Sequence, residues 1–295
     1  MRAALVTGAS SGIGRATVRR LDAAGWKVFA GVRKEEDAAA LRAEGSARLE
    51  PLMLDVLDPE AIAAAAARIA GEPGGLDGLV DNAGAAVAGP LEALPIEDFR
   101  RQVELNLTAQ LAVTQAMLPA IRTARGRVVL TSSMGGRVAL PMTGAYHAAK
   151  FGLEGFGDSL RQELAPWGIK VVLVEPGSID TPIWSRGEEE AERIFADAPP
   201  RMRELYEAMV ERYRQVVRDT AERGVPPDKV AARIEHALVA RRPRARYLVG
   251  IDAQVMTRLK PLLPTPVFDR LIARVMAFPK PPNADSQADA PILGP

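Results

Sequence analysis

The chain has 295 residues, of which 47% are hydrophobic and 25% charged, and its formal net charge is only +1. This is the composition of an ordinary globular protein with a large α/β core, and its near-balance of charge gives no reason to expect nucleic acid as a partner. There is no cysteine and only two histidines, His147 and His236. Disulfides, thiolate metal sites and cysteine nucleophiles are therefore excluded, and a metal-independent protein in a reducing, cytoplasmic compartment is expected.

Strand-like apolar runs alternate with helical patterns from the start of the chain. Ala3–Val6 reads as a buried strand, which leaves no room for a leader peptide ahead of it. A helix is expected over 13–24, a second strand over 28–32, a helix over 35–43 and a third strand over 49–54. Asp58-Pro59-Glu60 is a helix start, with an N-cap followed by proline at the first helical position. A fourth strand over 76–80 precedes a long helical pattern over 96–122. A fifth strand at Arg127–Thr131, a helix over 145–164 and a sixth strand over 170–174 follow. No run approaches the ~18 consecutive apolar residues of a membrane span.

This order predicts an α/β protein: a Rossmann-type, doubly wound parallel sheet with helices on both faces. After Pro176 the rhythm changes. Residues 183–223 are charged and helical and are split by Pro199-Pro200, 247–249 reads as one more strand, and 252–278 reads as a helical C-terminal extension broken by Pro261, Pro264 and Pro266. One catalytic domain over 1–278 is expected, with a lid or substrate region at about 181–225 and a disordered tail over 279–295.

Two constellations carry chemistry. Thr7-Gly8-Ala9-Ser10-Ser11-Gly12-Ile13-Gly14 lies between the first strand and the first helix. Glycines there let the backbone turn sharply and let a pyrophosphate approach, while the helix N-terminus offers free N–H groups to the anion. The spacing Gly-x-x-x-Gly-x-Gly differs from the commoner Gly-x-Gly-x-x-Gly dinucleotide fingerprint. Further on, Ser133 precedes Tyr146 by thirteen positions and Lys150 follows it by four. Residues four apart share a helix face, so the ammonium can lie beside the phenol. One cation about 4 Å away supplies ~4 kcal/mol at an effective dielectric near 20. That covers the ~3–4 kcal/mol needed to bring a phenol to neutral pH, so Lys150 is expected to lower the pKa of Tyr146, against desolvation. Ser132 points to the other side of its strand, and His147 is turned about 100° from the Tyr146–Lys150 seam.

Together with Asp55-Val56, Asn82-Ala83-Gly84, Asn106 and Pro176-Gly177-Ser178-Ile179-Asp180-Thr181, these motifs resemble the short-chain dehydrogenase/reductase family over residues 2 to about 181. Asp81 stands where members often carry Asn. The resemblance implies a nicotinamide-dependent oxidoreductase acting on an alcohol or carbonyl. Tyr146 would be the general acid/base, Ser133 would bond the substrate oxygen, Lys150 would also hold the nicotinamide ribose, and Asn106 would hold a relay water. It implies cofactor contacts from Gly8, Ser10, Ser11, Gly12, Ile13 and Gly14, from Asp55 and Val56 at the adenine, and from Asn82, Ala83 and Gly84. Pro176, Gly177, Ile179 and Thr181 would lie beside the nicotinamide.

The wording around Tyr146 is similar to hydroxysteroid and retinol dehydrogenases. This favours a bulky hydrophobic substrate, for which Leu140, Met142 and Trp184 are candidate wall residues. A homodimer or homotetramer is expected, with Gly152, Gly155 and Gly157 keeping one helix slim for a partner. Val32 occupies the position of the acid that selects NAD, and Arg33 follows it, so NADP(H) is favoured, with NAD(H) the alternative. A catalytically silent dinucleotide sensor of the same fold is the rival reading.

Overall fold

The computed structural model describes residues 1–278; the tail expected to be disordered, 279–295, lies outside the described residues. Seven strands form one parallel sheet in the order β3-β2-β1-β4-β5-β6-β7. They are β1 (Ala3–Val6), β2 (Lys27–Val32), β3 (Leu49–Met53), β4 (Gly78–Asp81), β5 (Arg127–Thr131), β6 (Lys170–Pro176) and β7 (Arg246–Val249). The order reverses between β1 and β4, and this switch point opens a crevice at the carboxyl ends of the strands.

Side chains alternate between the two faces along each strand. Ala4 and Val6 of β1 join Val18 and Leu21 of α1 (Gly12–Ala23) and Ile234 of α9 (Pro227–Val239) on one face. Ala3 and Leu5 join Ile69 of α3 (Pro59–Ala70), Met117 of α5 (Ala109–Ala124) and Leu153 of α6 (Gly144–Leu164) on the other. Leu5 and Phe29 are fully buried, and burying such a side chain contributes about 1.5–3 kcal/mol. Asp58 caps α3 as its sequence predicts, accepting from the Glu60 N–H at 2.9 Å.

Three departures from the expected elements matter for the site. The long pattern over 96–122 is not one regular helix: α4 (Ile96–Val103) passes through a π turn at Glu104–Thr108 into α5. Helix α9, absent from the expected elements, starts after Pro226 with Pro227 in its first turn, where a proline lacking an N–H costs no intrahelical bond. The glycines of α6 also face inward. A Cβ at Gly157 would press on Leu173 and Leu130, and one at Gly152 on Leu107, so only Gly155 opens outward and the expected slim partner face shrinks to that position.

The remaining helices are α2 (Glu35–Glu44), α7 (Ile183–Asp197), α8 (Pro200–Glu222), α10 (Ile251–Leu259) and α11 (Thr265–Met276). The region 181–225 is pinned at both ends. Ile179 and Val225 form a β-bridge, Asp180 N–H donates to the Val225 carbonyl at 3.0 Å, and Val225 N–H donates to the Ser178 carbonyl at 2.9 Å. Between these ends, α7 lies over α4 through the pairs of Arg101 with Glu190 and of Arg193 with Asp98 at 3.3 Å, and α8 pairs with α7 through Arg214 and Glu192 at 3.6 Å. A third core of Val138, Phe268, Ile272 and Met276 lies under α8 and α11. Among the described residues no helix is long and apolar enough to cross a membrane.

Candidate active site

The glycine turn sits at the switch point and is held there by Thr7. Its hydroxyl donates to Asp81 Oδ1 at 3.0 Å and accepts the N–H groups of Asn82 and Ala83 at 2.8 and 2.9 Å, locking β1 to β4. Asn82 Nδ2 donates to the Thr7 carbonyl at 3.1 Å. Gly8 has φ +63° and a Cβ there would lie 2.9 Å from Ala83 Cα, while a Cβ at Gly14 would collide with the Gly8 carbonyl. Ser10 and Ser11 are half-buried beside Gly12 and Ile13, and Ser11, the N-cap of α1, makes no side-chain cap. The first-turn N–H groups are thus left for an anion, and these residues fit a dinucleotide phosphate.

The opposite wall is the turn after β6. Thr181 reaches across to the glycine turn, where a Cβ at Gly12 would lie 2.9 Å from its Cγ2. Pro176 ends β6, and Ile179 is buried behind the turn. Asp252 of α10 braces it, accepting the Ser178 N–H at 2.7 Å and crowding both Gly177 and Gly250. This brace was not among the expected residues; its only sequence signal is an acid two positions after a glycine at a helix start.

Just beyond β3, Val56 is buried, whereas Asp55 Oδ1 accepts the Leu57 N–H at 3.0 Å in a local turn, and its other oxygen takes no hydrogen bond among the described residues. Arg33 and Lys34 are exposed at the end of β2, their side chains without a hydrogen bond or ion pair among the described residues.

Ser133 and Lys150 flank Tyr146. Ser133, at the end of the β5 segment, accepts the Gly135 N–H at 2.9 Å, and its hydroxyl stands close enough to the Tyr146 phenol to favour ionisation. Lys150, one turn along α6, is 5% exposed and donates to the Thr131 carbonyl at 2.8 Å, with its ammonium 5.9 Å from the centre of the Tyr146 ring. The expectation that Lys150 overcomes desolvation is corrected: burial pushes the Tyr146 phenol above its ordinary value and only Ser133 opposes it. Burial pulls Lys150 down to about 8, with Asp81 and Glu154 acting against the shift. Asp81, buried at the end of β4, is pushed up to about 7 by the same desolvation, against the Thr7 hydrogen bond and the Lys150 charge.

Asn106 lies within the π turn and is fully buried, its amide donating to the Ala85 carbonyl at 2.8 Å and accepting the Ala85 N–H at 3.1 Å. Its side chain is thereby committed to protein, and the π turn offsets the backbone carbonyls around it. Gly84 packs against it, and Ser132 is buried against Gly136, away from Tyr146. His147 Nε2 accepts the Leu140 N–H at 2.9 Å, so Nδ1 carries the proton and donates to the Gly135 carbonyl at 2.8 Å. Burial lowers its pKa, and the neutral ring staples the Ser133–Tyr146 segment.

Of the candidate substrate residues, Leu140 packs on the third core. Met142 is buried with φ +72°, and its carbonyl accepts the Gly89 N–H at 2.7 Å. Trp184 Nε1 donates to the Ile179 carbonyl at 2.7 Å, tying its indole to the Pro-Gly turn. No group of metal-binding side chains occurs among the described residues.

A glycine cradle at the switch point and a Ser-Tyr-Lys cluster beside it define a nicotinamide-dependent oxidoreductase acting on CH–OH groups. The short chain dehydrogenase family profile matches residues 2–192, and the chain belongs to that family. It is 38% identical over 282 residues to retinol dehydrogenase 5 of Mus musculus, covering 93% of this chain and 88% of that one. It is 37% identical over 289 residues to 17-beta-hydroxysteroid dehydrogenase type 6 of Bos taurus, covering 95% and 89%. A short chain dehydrogenase from Burkholderia cenocepacia J2315, solved in complex with NADP, superposes with a TM-score of 0.69 at 26% identity, covering 92% of this chain and 99% of that one.

Proposed function

We propose that this protein interconverts a bulky, hydrophobic secondary alcohol and its ketone, using NADP(H) in preference to NAD(H). The observation that carries the reaction is the flanking of the Tyr146 phenol by Ser133 and Lys150 at the carboxyl edge of the sheet. Bound nicotinamide supplies or accepts the hydride. Tyr146 gives its proton to the substrate oxygen in reduction and takes it back in oxidation. Ser133 donates a hydrogen bond to that oxygen as charge develops on it. The Lys150 ammonium reaches the ribose of the cofactor, Ser133 favours the ionised phenol, and a backbone carbonyl of the π turn at Asn106 holds the relay water.

Gly8, Ser10, Ser11, Gly12, Ile13 and Gly14 hold the pyrophosphate, and Arg33 grips the 2′-phosphate. Asp55 and Val56 contact the adenine, Asn82, Ala83 and Gly84 flank the ribose, and Pro176, Gly177, Ile179 and Thr181 seat the nicotinamide. Residues 1–278 act as one catalytic domain with 181–225 as its lid, and the chain assembles as a homodimer or homotetramer. The hydrophobic substrate is supported by likeness to a retinol and a hydroxysteroid dehydrogenase. The NADP(H) preference is supported by exposed, unpaired Arg33 and by a structural relative in complex with NADP.

The test is NADPH consumption across bulky ketones by wild type and Tyr146→Phe. Turnover that falls at least a hundredfold in a folded, cofactor-binding Tyr146→Phe protein is the expected result. Retention of most activity, or no turnover of any such compound by the wild type, would count against the reading and for a silent dinucleotide sensor.

A further inference from the structure

Tyr146 and Lys150 share α6, but Ser133 stands outside it, between β5 and a single helical turn at Met134–Gly136. The Ser133 oxygen accepts the Gly135 N–H at 2.9 Å. A serine hydroxyl has one proton to give and two lone pairs to receive with. A bond received from Gly135 therefore turns the proton away from that turn and leaves it for the phenol or a substrate oxygen. Gly135 itself lies against the Tyr146 ring, where a Cβ would stand 3.1 Å from Tyr146 Cε1.

Gly135 is in turn held by His147. The imidazole Nδ1–H donates to the Gly135 carbonyl at 2.8 Å. On the other side of the ring, Nε2 accepts the Leu140 N–H and the Thr143 hydroxyl, both at 2.9 Å. A backbone N–H can only donate, so these bonds set the tautomer. The ring is 6% exposed, and a Cβ on Gly135 would come within 2.9 Å of Nδ1, so imidazole and turn are in close contact. His147 follows Tyr146 directly on α6, and its N–H donates to the Thr143 carbonyl at 3.0 Å. Its rotation off the Tyr146–Lys150 seam is what brings it under the Ser133 turn. Hydrogen bonds thus connect α6 to the Ser133 hydroxyl, from His147 to Gly135 and from Gly135 to Ser133.

We propose that His147 is a positioning residue for the reaction: through Gly135 it fixes where the Ser133 hydroxyl stands relative to Tyr146 and which way its proton points. This rests on the oxidoreductase reading above. A donor oriented in advance needs no reorganisation as charge develops on the reacting oxygen, and a displacement of about 1 Å can cost on the order of a hundredfold in rate. Buried behind the turn, the imidazole acts on the reaction only through Ser133, so its effect belongs in kcat.

The experiment measures kcat and KM for a bulky ketone, the Kd of NADPH, and thermal unfolding. Wild type, His147→Gln, His147→Asn, Ser133→Ala and the Ser133→Ala/His147→Gln double variant are compared. The Asn amide N–H falls near the Nδ1 position and keeps the Gly135 bond, whereas the Gln amide falls near Nε2 and loses it. His147→Gln should lower kcat about tenfold or more with the Kd of NADPH within about twofold, and His147→Asn should stay within about threefold of wild type. With Ser133→Ala there is no hydroxyl left to orient, so adding His147→Gln should change kcat by less than about twofold.

An undiminished kcat in His147→Gln, or its full loss repeated on top of Ser133→Ala, would overturn the assignment. If His147→Gln does not fold, His147→Asn decides: a folded Asn variant as slow as Ser133→Ala would overturn it equally. Undiminished turnover by Tyr146→Phe, or no turnover of any ketone by the wild type, would instead remove the underlying reading and the assignment with it.

Discussion

Lys150 holds its ammonium 5.9 Å from the centre of the Tyr146 ring while its hydrogen bond runs back to the Thr131 carbonyl at 2.8 Å. The lysine is thus fixed by the sheet rather than by the phenol, and its charge is held against burial by Asp81 and Glu154. Asp81→Asn removes one of those negative charges but keeps an acceptor for Thr7, so the fold should survive. Without that charge the Lys150 pKa falls below its present value of about 8, and the neutral amine is a weaker donor to the cofactor ribose that Lys150 is proposed to hold. The alkaline limb of kcat should move to lower pH, with kcat at pH 9 reduced roughly threefold to tenfold. An unchanged pH–kcat profile would show that Asp81 does not act on Lys150.

Arg33 is exposed and has no partner of its own among the described residues. A charge-assisted fork on a 2′-phosphate is worth roughly 1.5–3 kcal/mol, or ~10–150-fold in kcat/KM. Arg33→Ala should lose that much with NADPH and little with NADH. Equal use of both cofactors by the wild type would refute the preference.

The pairs that tie α7 to α4 and α8 to α7, such as Arg193–Asp98 at 3.3 Å and Arg214–Glu192 at 3.6 Å, are partly solvent-exposed. Such pairs are worth about 0–1 kcal/mol each and weaken in salt. Amide exchange over 183–222 should therefore slow when NADPH and a ketone bind together, and should quicken at high salt in the free protein. Protection that ignores both would make the pair a fixed part of the scaffold.

Glu175 is fully buried in β6, near Glu154, Arg137 and Arg246, with Arg246 Nε 3.1 Å from its carboxylate. Burial, then the like charge of Glu154, pushes it up to about 7 from 4.5. A carboxyl whose pKa is raised by folding contributes its stabilisation in full below the unfolded value and loses it as pH rises through the folded one. Stability should accordingly fall between pH 4.5 and about 7 by up to a few kcal/mol. In Glu175→Gln this slope should flatten. Urea midpoints across that range check it, and identical slopes would exclude Glu175 as the source.

Much of this architecture is legible in the chain because its signals are local. The bounds of β1 and β5 follow from apolar runs between turns, and the α3 cap from Asp58-Pro59-Glu60. The Tyr146–Lys150 spacing implies their shared face. Other features depend on distant neighbours. The π turn is organised by Asn106 reaching Ala85, and the brace on the Pro-Gly turn comes from Asp252, 74 positions beyond Ser178. The shift at Tyr146 failed as an expectation because pair spacing reveals a possible charge partner but not how much water the fold removes.

The bridge between Ile179 and Val225 makes everything between them a closed loop whose mouth is already zipped. Because the ends are joined by the backbone, the entropy of closing such a loop grows only slowly with its length. Changes of length within it therefore cost little closure entropy, provided the face of α8 that packs on Val138 and Phe268 is kept. The 181–225 segment is in effect a graft with two fixed stitches, and chimaeras that swap it at Ile179 and Val225 offer a way to ask what it contributes while the strands beneath stay in place.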